Sequence, residues 1–97
     1  MVCRAAVKIY DKRQDKEMII PCHRHCDAFQ ILHDFGYKKK IDFLELGQGF
    51  LNEHGEWMER TEAWHEANKC HQFTNAYIKD WNEGLNMTRI LYSEDIW

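Results

Sequence analysis

The stretch over residues 48–72 constrains the fold most, because it carries the signals of a β-hairpin that leads directly into a helix. Residues 50–51 are apolar, Gly55 is free to take a positive φ in the turn, and residues 57–58 form an apolar return strand. Thr61 is typical of a helix N-cap, and apolar residues follow it at helical spacing. The pattern therefore predicts a compact hairpin–helix unit.

The N-terminal region shows a second hairpin followed by another helix. Apolar and polar residues alternate over 5–10, as in a half-buried strand, and residues 18–20 return as its partner. Pro21 ends the return strand because it has no N–H for a ladder. Apolar residues then recur at helical spacing over about 25–35, and Gly36 stands where a left-handed C-terminal cap belongs.

The remaining segments are a link and the C-terminal region. Residues 37–46 are basic and predict an irregular link. Apolar residues at helical spacing over 74–86 indicate that the second helix continues or that a new one starts, with Gly84 at its end. Residues 88–92 indicate a last strand, followed by a turn that Ser93 caps.

Together these segments predict the α+β class, in a small single domain with antiparallel β-hairpins and two main helices. Ninety-seven residues are enough for one domain with its own core. The predicted parts of the domain 1–97 are an N-terminal hairpin (1–21), a helix (22–36), the hairpin–helix unit (48–72) and a C-terminal strand and tail (88–97).

The charge balance bears on the kind of partner. Thirteen basic and 16 acidic residues give a net charge of −3. A nucleic-acid polymer needs a basic surface, so the balance argues against such a partner, whereas one or two arginines suffice for a mononucleotide-sized ligand. No segment has the ~18–20 apolar residues of a membrane span, and the first residues do not resemble a signal peptide. We therefore expect a cytosolic protein without a membrane partner.

The aromatic content is high for a chain of this length. Four Trp, four Tyr and five Phe are more aromatic surface than so small a core can bury. We therefore expect part of it at a stacking site or in a homo-oligomer interface.

The cysteines raise the question of a metal. Cys22 and Cys26 enclose His23 and His25, and Cys70 precedes another histidine, so a structural zinc site stays open as an alternative. Adjacent Cys–His pairs point in different directions, however, and free cysteines are usually small packing residues. We expect reduced cysteines and neither a metal nor another cofactor.

Three motifs in this chain resemble a family of small phage-encoded proteins. They are Arg-His-Cys-Asp at 24–27, Gly-Phe at 49–50 with Arg60, Glu62, Ala63 and Gln72, and Tyr-Ser-Glu-Asp at 92–95. The resemblance covers about residues 24–72 and 89–97. At the position before Gln72 the family has Gly or Asn, where this chain has His71.

The resemblance also carries an expectation about function. The best-known relatives are phage anti-Thoeris sponge proteins, which bind nucleotide immune signals such as cyclised ADP-ribose and do not degrade them. It implies a non-enzymatic anti-defence protein in the host cytoplasm. Its ligand would be a signal of the cyclic ADP-ribose type or a cyclic oligonucleotide.

The expected ligand site combines arginines, aromatic faces and amides. Arg24 and Arg60 stand at helix starts, where backbone N–H groups favour phosphate. The base is expected to stack on one of two aromatic residues of the hairpin. The candidate ligand-binding residues are Arg24, His25, Phe50, Trp57, Arg60, Asn68, Gln72 and Arg89.

Two other functions stay open. His25 with Asp27 or Glu62 would form the acid–base pair of a nucleotide hydrolase, although neither a nucleophile elbow nor a phosphate loop accompanies it. The aromatic surface would otherwise serve to block a host protein. Arg60 also has a structural alternative, in which it pairs with Glu62 or Asp95 inside the fold.

Overall fold

The computed structural model describes residues 1–85 and 87–97. Within these residues the elements are β1 (Val2–Asp11), β2 (Lys16–Cys22), α1 (His25–Asp34), β3 (Phe43–Asn52), β4 (Trp57–Met58), α2 (Arg60–Lys69), α3 (Asn75–Asn82) and a 3-10 turn (Ser93–Asp95). The strands form one antiparallel sheet in the order β2-β1-β3-β4. The α+β class is confirmed.

The predicted N-terminal hairpin is present, and the alternation along β1 decides which face of the sheet is covered. Ala5, Val7 and Ile9 are fully buried. Val7 and Ile9 pack against Ala28 and Leu32 of α1. The apolar residues at every second position of β1 therefore pack on the apolar face of α1, as the sequence predicts.

A second core cluster joins the sheet, α2 and the C-terminal segment. Phe50 is at its centre and is fully buried. The other buried members are Val2, Ala5, Met58, Ala63, Trp64, Ala67, Tyr77, Leu91 and Ile96. Because Leu91 and Ile96 belong to this cluster, residues 91–97, which we call the tail, are part of the core.

The predicted irregular link over 37–46 is wrong in its last part, because β3 already begins at Phe43. β3 pairs with β1 from Asp11 opposite Phe43 to Val2 opposite Asn52, and the register shifts twice along the pairing. Glu45 interrupts the alternation of apolar and polar residues that would indicate this strand, because a polar residue here lies opposite the buried Ile9.

Gly49, near the end of β3, allows β4 to approach this strand closely. A Cβ atom added there would lie 2.5 Å from the Trp57 ring and 2.6 Å from the Met58 carbonyl oxygen. The indole of Trp57 therefore lies directly on the Gly49 backbone, which is the close approach that only glycine permits.

The C-terminal cap of α1 is as predicted, whereas the N-cap of α2 is a different residue from the one predicted. Gly36 has a φ of 78°, and the Gly36 and Tyr37 N–H groups bond to the last-turn carbonyl oxygens of His33 and Leu32 at 2.9 Å each. This is the expected left-handed cap. Thr61 does not cap α2: Glu59 does, because its carbonyl already accepts the first helical hydrogen bond from Ala63.

The segment over 74–86 starts a new helix. α2 ends at its C-cap Cys70, and His71 takes a φ of 55°. Thr74 then caps α3 by accepting a hydrogen bond from the Tyr77 N–H at 3.2 Å. Gly84, with a φ of 74°, ends the helix as predicted. Asn86, the last residue of that predicted segment, lies outside the described residues.

The predicted strand over 88–92 is wrong, because this segment has no strand conformation. The Leu91 N–H donates to the Arg60 carbonyl oxygen at 3.1 Å, so the tail pairs with the start of a helix and not with a sheet edge. Its apolar side chains, not a ladder, hold it on the domain.

Candidate functional site

Arg24 holds the tail and does not face an open anion site. Its guanidinium donates to the Trp97 carbonyl oxygen at 2.7 Å and lies 3.4 Å from the Ser93 hydroxyl. Its backbone N–H donates to the Asp27 carboxylate at 3.1 Å, which orders the first turn of α1. Protein oxygens therefore accept hydrogen bonds from the guanidinium, and phosphate binding by Arg24 stays a prediction.

Arg60 makes the corresponding contact from α2. One terminal nitrogen donates to the Leu91 carbonyl oxygen at 2.7 Å and the other to the Gln48 amide oxygen at 2.8 Å. The guanidinium carbon lies 4.7 Å from the centre of the Tyr92 ring. Arg60 thus joins β3 to the tail through neutral acceptors and not through the alternative ion pairs with Glu62 or Asp95. Its role as a phosphate anchor stays a prediction.

His25 and Phe50 belong to the core. The His25 Nε2–H donates to the Gly49 carbonyl oxygen at 2.8 Å, and the imidazole meets the Phe50 ring edge-on, with the centroids 5.2 Å apart. Burial lowers the pKa of His25, which favours the neutral ring. Phe50 is 0% exposed. The Phe50 ring therefore has no exposed face, and the His25 Nε2 already has a protein partner. Ligand binding by these two residues stays a prediction.

Gln72 and Trp57 also make contacts within the fold. The Gln72 amide accepts from the Val2 N–H and donates to the Val2 carbonyl oxygen, each at 2.8 Å, so it extends the sheet like a short strand. The Trp57 indole N–H donates to Glu59 at 2.9 Å, and the Lys8 ammonium lies 4.5 Å from its ring centre. The amide oxygen and nitrogen of Gln72 thus both have protein partners, and Trp57 is partly exposed. Ligand binding by these two residues stays a prediction.

Asn68 and Arg89 are the two predicted residues that lie together at a surface pocket. They line a surface pocket of about 360 Å³ between α2, α3 and the segment before the tail, which we call the aromatic pocket. Its other lining residues are Trp64, Phe73, Tyr77, Ile78 and Trp81. Sequence reasoning missed the aromatic members of this site.

The aromatic rings of the pocket hold one another in place. The Trp64 centroid lies 5.4 Å from that of Phe73 and 5.5 Å from that of Trp81. Phe73 and Tyr77 stack at 4.4 Å with an interplanar angle of 20°. The Trp64 indole N–H donates to the Tyr77 hydroxyl at 2.6 Å. Burial raises the pKa of Tyr77, so its hydroxyl stays protonated at neutral pH.

Helical spacing explains how the pocket forms. Trp64 and Asn68 are four residues apart on α2, and Tyr77 and Trp81 are four residues apart on α3, so each pair lies on one helix face. The Arg89 guanidinium carbon lies 5.5 Å from the centre of the Trp64 ring. The i,i+4 spacing of Trp64 with Asn68 and of Tyr77 with Trp81 is the sequence signal from which this site could have been predicted.

The cysteines bear on the alternative of a structural zinc site. Cys3, Cys22 and His23 line a separate hollow with Arg4 and Trp97. Burial raises the pKa of the Cys22 thiol to about 11, which keeps it protonated. In the part of the chain that is described, no three His, Cys, Asp or Glu side chains are grouped so that they could hold a metal ion.

The model of a known family matches the whole chain, residues 1–97, and this family is described as Phage T4 y16D protein. The chain belongs to the phage T4 y16D family. Membership confirms that the resemblance to a phage protein family is correct. No curated protein and no solved structure matches the chain. Among the described helices, none has the length and apolar character needed to cross a membrane.

In this y16D family member, two of the motifs behind the resemblance meet at the tail. Arg24 and Arg60 bond to it from two helices, and the Asp95 carboxylate accepts from the Tyr92 N–H at 2.9 Å inside it. His71, at the position before Gln72, has a positive φ, the conformation that Gly and Asn adopt at least cost.

Proposed function

We propose that this phage protein binds a small nucleotide immune signal in the aromatic pocket and sequesters it without cleavage. The observation that carries the proposal is the meeting of Arg89 and Asn68 at a hollow built from four aromatic side chains. The anti-defence role rests on the resemblance to sponge proteins together with membership of a phage family.

The size and lining of the pocket suit one base with its sugar. A volume of about 360 Å³ lies at the lower end of the range of ~300–1,000 Å³ for small-molecule sites. Trp81 is partly exposed and offers a ring face, whereas Trp64 is buried beneath it and holds it in place. Stacking on such a face is worth about 1–3 kcal/mol per base. The Asn68 amide is exposed and carries a donor and an acceptor for a base edge. These features favour a ligand with one base in the pocket.

Arg89 supplies the charge for phosphate. It is exposed, and its guanidinium carbon lies 5.5 Å from the centre of the Trp64 ring, so its N–H donors are at the mouth of the pocket for a phosphate. Among the described lining residues Arg89 alone is charged. We therefore expect one or two phosphates close to the base, as in a compact cyclic nucleotide.

The lining also supports binding without chemistry. Its polar groups are an amide, a guanidinium and the Tyr77 hydroxyl, which already accepts a hydrogen bond from Trp64. General acid–base catalysis uses groups such as histidine or carboxylate, and the described lining has neither. His25, the base of the alternative hydrolase, is bonded to Gly49 inside the fold.

Calorimetry with a panel of nucleotides tests the proposal. The panel contains cyclised ADP-ribose, linear ADP-ribose, cyclic dinucleotides and AMP. Arg89→Ala should weaken binding by about 1.5–3 kcal/mol, which is about 10- to 150-fold in Kd. Arg4→Ala, which removes an exposed charge elsewhere, should bind like the wild type. Wild-type protein that binds none of the panel at millimolar concentration would overturn the proposal, and so would full affinity in Arg89→Ala.

A second candidate function is the blocking of a host protein. An apolar groove between α1 and β2 is lined by Met18, Ile20, Ile31 and Phe35, among others, and Phe35 is 75% exposed. A phage plaque assay on defended hosts separates the two functions. Loss of protection in Arg89→Ala supports nucleotide capture, whereas loss only in Phe35→Asp supports the blocking of a partner.

A further inference from the structure

The backbone that carries Arg89 is fixed two residues further on, at Leu91. The Leu91 side chain is fully buried, and both backbone polar groups of this residue bond to Arg60. Its N–H donates to the Arg60 carbonyl oxygen at 3.1 Å, and its carbonyl oxygen accepts from the Arg60 guanidinium at 2.7 Å. Two residues span about 7 Å at most, so the backbone of Arg89 stays close to this double contact.

The other apolar side chains near Arg89 are exposed. They are Leu85, Met87 and Ile90, so Leu91 is the nearest residue along the described chain that anchors this segment in the core. The position of Leu91 therefore influences where the Arg89 guanidinium lies relative to the Trp64 ring, whose centre is 5.5 Å from the guanidinium carbon.

Arg60 is itself connected to the sheet. Its second terminal nitrogen donates to the Gln48 amide oxygen at 2.8 Å. The Gln48 amide nitrogen in turn donates to the Glu45 carboxylate at 2.8 Å, so both ends of this amide have a partner. A continuous series of hydrogen bonds thus leads from β3 through Arg60 to Leu91.

We propose that Arg60 is a positioning residue for the nucleotide, because it fixes Leu91 and thereby places Arg89 at the mouth of the aromatic pocket. Arg60 is not among the described residues that line this pocket. Its effect on the ligand passes through Arg89 and does not need contact with the phosphate. The inference rests on the proposed function, since it assigns the residue that sets the geometry of the same site.

Nuclear magnetic resonance without ligand tests the placement of Arg89. The ring current of Trp64 shifts the resonances of the Arg89 side chain, which lies close to the ring. Arg60→Ala should move these resonances toward their positions in an unfolded chain, and Arg60→Lys should move them less, because one donor remains. Unchanged Arg89 resonances in folded Arg60→Ala protein would overturn the proposal. If this variant does not fold, the resonances in Arg60→Lys decide in the same way.

Tyr37→Phe is the matched control for a loss of stability. The Tyr37 hydroxyl donates to the buried Asp11 carboxylate at 3.0 Å, so this variant also loses a partly buried hydrogen bond, but in the core cluster beside α1. Its Arg89 resonances and its nucleotide affinity should be those of the wild type. A shift of the Arg89 resonances in Tyr37→Phe would show that lower stability alone moves Arg89, which would overturn the assignment to Arg60.

A double-mutant cycle separates positioning from direct binding of phosphate by Arg60. Calorimetry measures the Kd for AMP, linear ADP-ribose, cyclised ADP-ribose and a cyclic dinucleotide. Arg60→Ala alone should raise the Kd by about 2- to 30-fold, the range for residues that act through a network. In the Arg89→Ala background the same substitution should raise the Kd by less than about twofold, because its effect passes through Arg89.

The outcomes of the cycle are distinct. An equal effect of Arg60→Ala in both backgrounds would make Arg60 a second ligand contact and overturn the proposal. A wild type that binds none of the four nucleotides contradicts the proposed function instead, and the ligand-free resonances then decide the role of Arg60.

Discussion

Replacement of Arg60 by alanine tests whether this residue is the structural anchor of the tail. The guanidinium donates to the Leu91 carbonyl oxygen and to the Gln48 amide oxygen and lies on the Tyr92 ring. Arg60→Ala removes all three contacts and leaves the Gln48 amide oxygen and the Leu91 carbonyl oxygen to water. The substitution therefore removes the side-chain link between the tail and the sheet and leaves the apolar side chains of the core unchanged.

The expected loss of stability follows from these contacts. Hydrogen bonds from a charged donor are worth about 1.5–3 kcal/mol, but these acceptors are only partly buried, so about 1 kcal/mol each is appropriate. The cation–π contact adds about 0.5–1 kcal/mol, because Tyr92 is exposed in part. The free energy of unfolding should fall by about 2–3 kcal/mol. For a domain of this size the Tm should fall by about 10–20 °C.

Urea unfolding followed by circular dichroism gives the change in the free energy of unfolding. Digestion with carboxypeptidase, followed by mass spectrometry, reports whether the tail is released before the domain unfolds. Arg60→Lys keeps one charge but loses the planar fork, so it should recover only part of the stability. Arg4→Ala is the control for the loss of a surface charge and should change stability by less than ~0.5 kcal/mol.

The reasoning is refuted if Arg60→Ala unfolds within ~0.5 kcal/mol of the wild type and its tail resists digestion equally well. In that case the contacts of Arg60 with the tail contribute nothing measurable, and the guanidinium would be free to bind a ligand.

Three further predictions concern the backbone, a buried histidine and the cysteines. His71→Gly should raise the free energy of unfolding by about 0.5–1 kcal/mol in urea, because His71 has a φ of 55°; a less stable variant would contradict this. The pKa of His25 is lowered from 6.5 by burial, so the unfolded chain binds a proton that the folded chain excludes, and stability should fall as the pH drops below about 6.5; the same slope in His25→Gln would show that another group is responsible. A chelator should leave the Tm unchanged, and elemental analysis that finds zinc near one per chain would make Cys22 and its neighbours a ligand set.

Local sequence patterns predicted those parts of the fold that depend on neighbouring residues. The alternation in β1 and the cap at Gly36 are short-range features, and both are confirmed. β3 was missed between 43 and 49 because Glu45 and Gln48 occupy positions that alternation reserves for apolar residues. They are polar there because Glu45 accepts from Lys39 and Gln48 accepts from Arg60. Contacts of this kind join distant segments and leave no local period.

The same limit applies to the candidate site. Arg24 and Arg60 have the local setting of an anion site, at helix starts, but their guanidinium groups are occupied by a tail that lies far along the chain. Phe50 and Trp64 are both aromatic, and sequence alone does not say which ring is in the core and which lines a pocket. Asn68 and Arg89 were found as candidates by residue type, while their meeting depends on how α3 packs on α2.

The recovery of bound nucleotide tests the central claim most directly. The protein is incubated with each signal of the panel, freed of unbound ligand by gel filtration and heated, and the released molecule is identified by mass spectrometry. We predict that the wild type releases the intact signal at about one molecule per chain and that Arg89→Ala releases little. Recovery of a hydrolysis product, or of no nucleotide from the wild type, would contradict sequestration in the aromatic pocket.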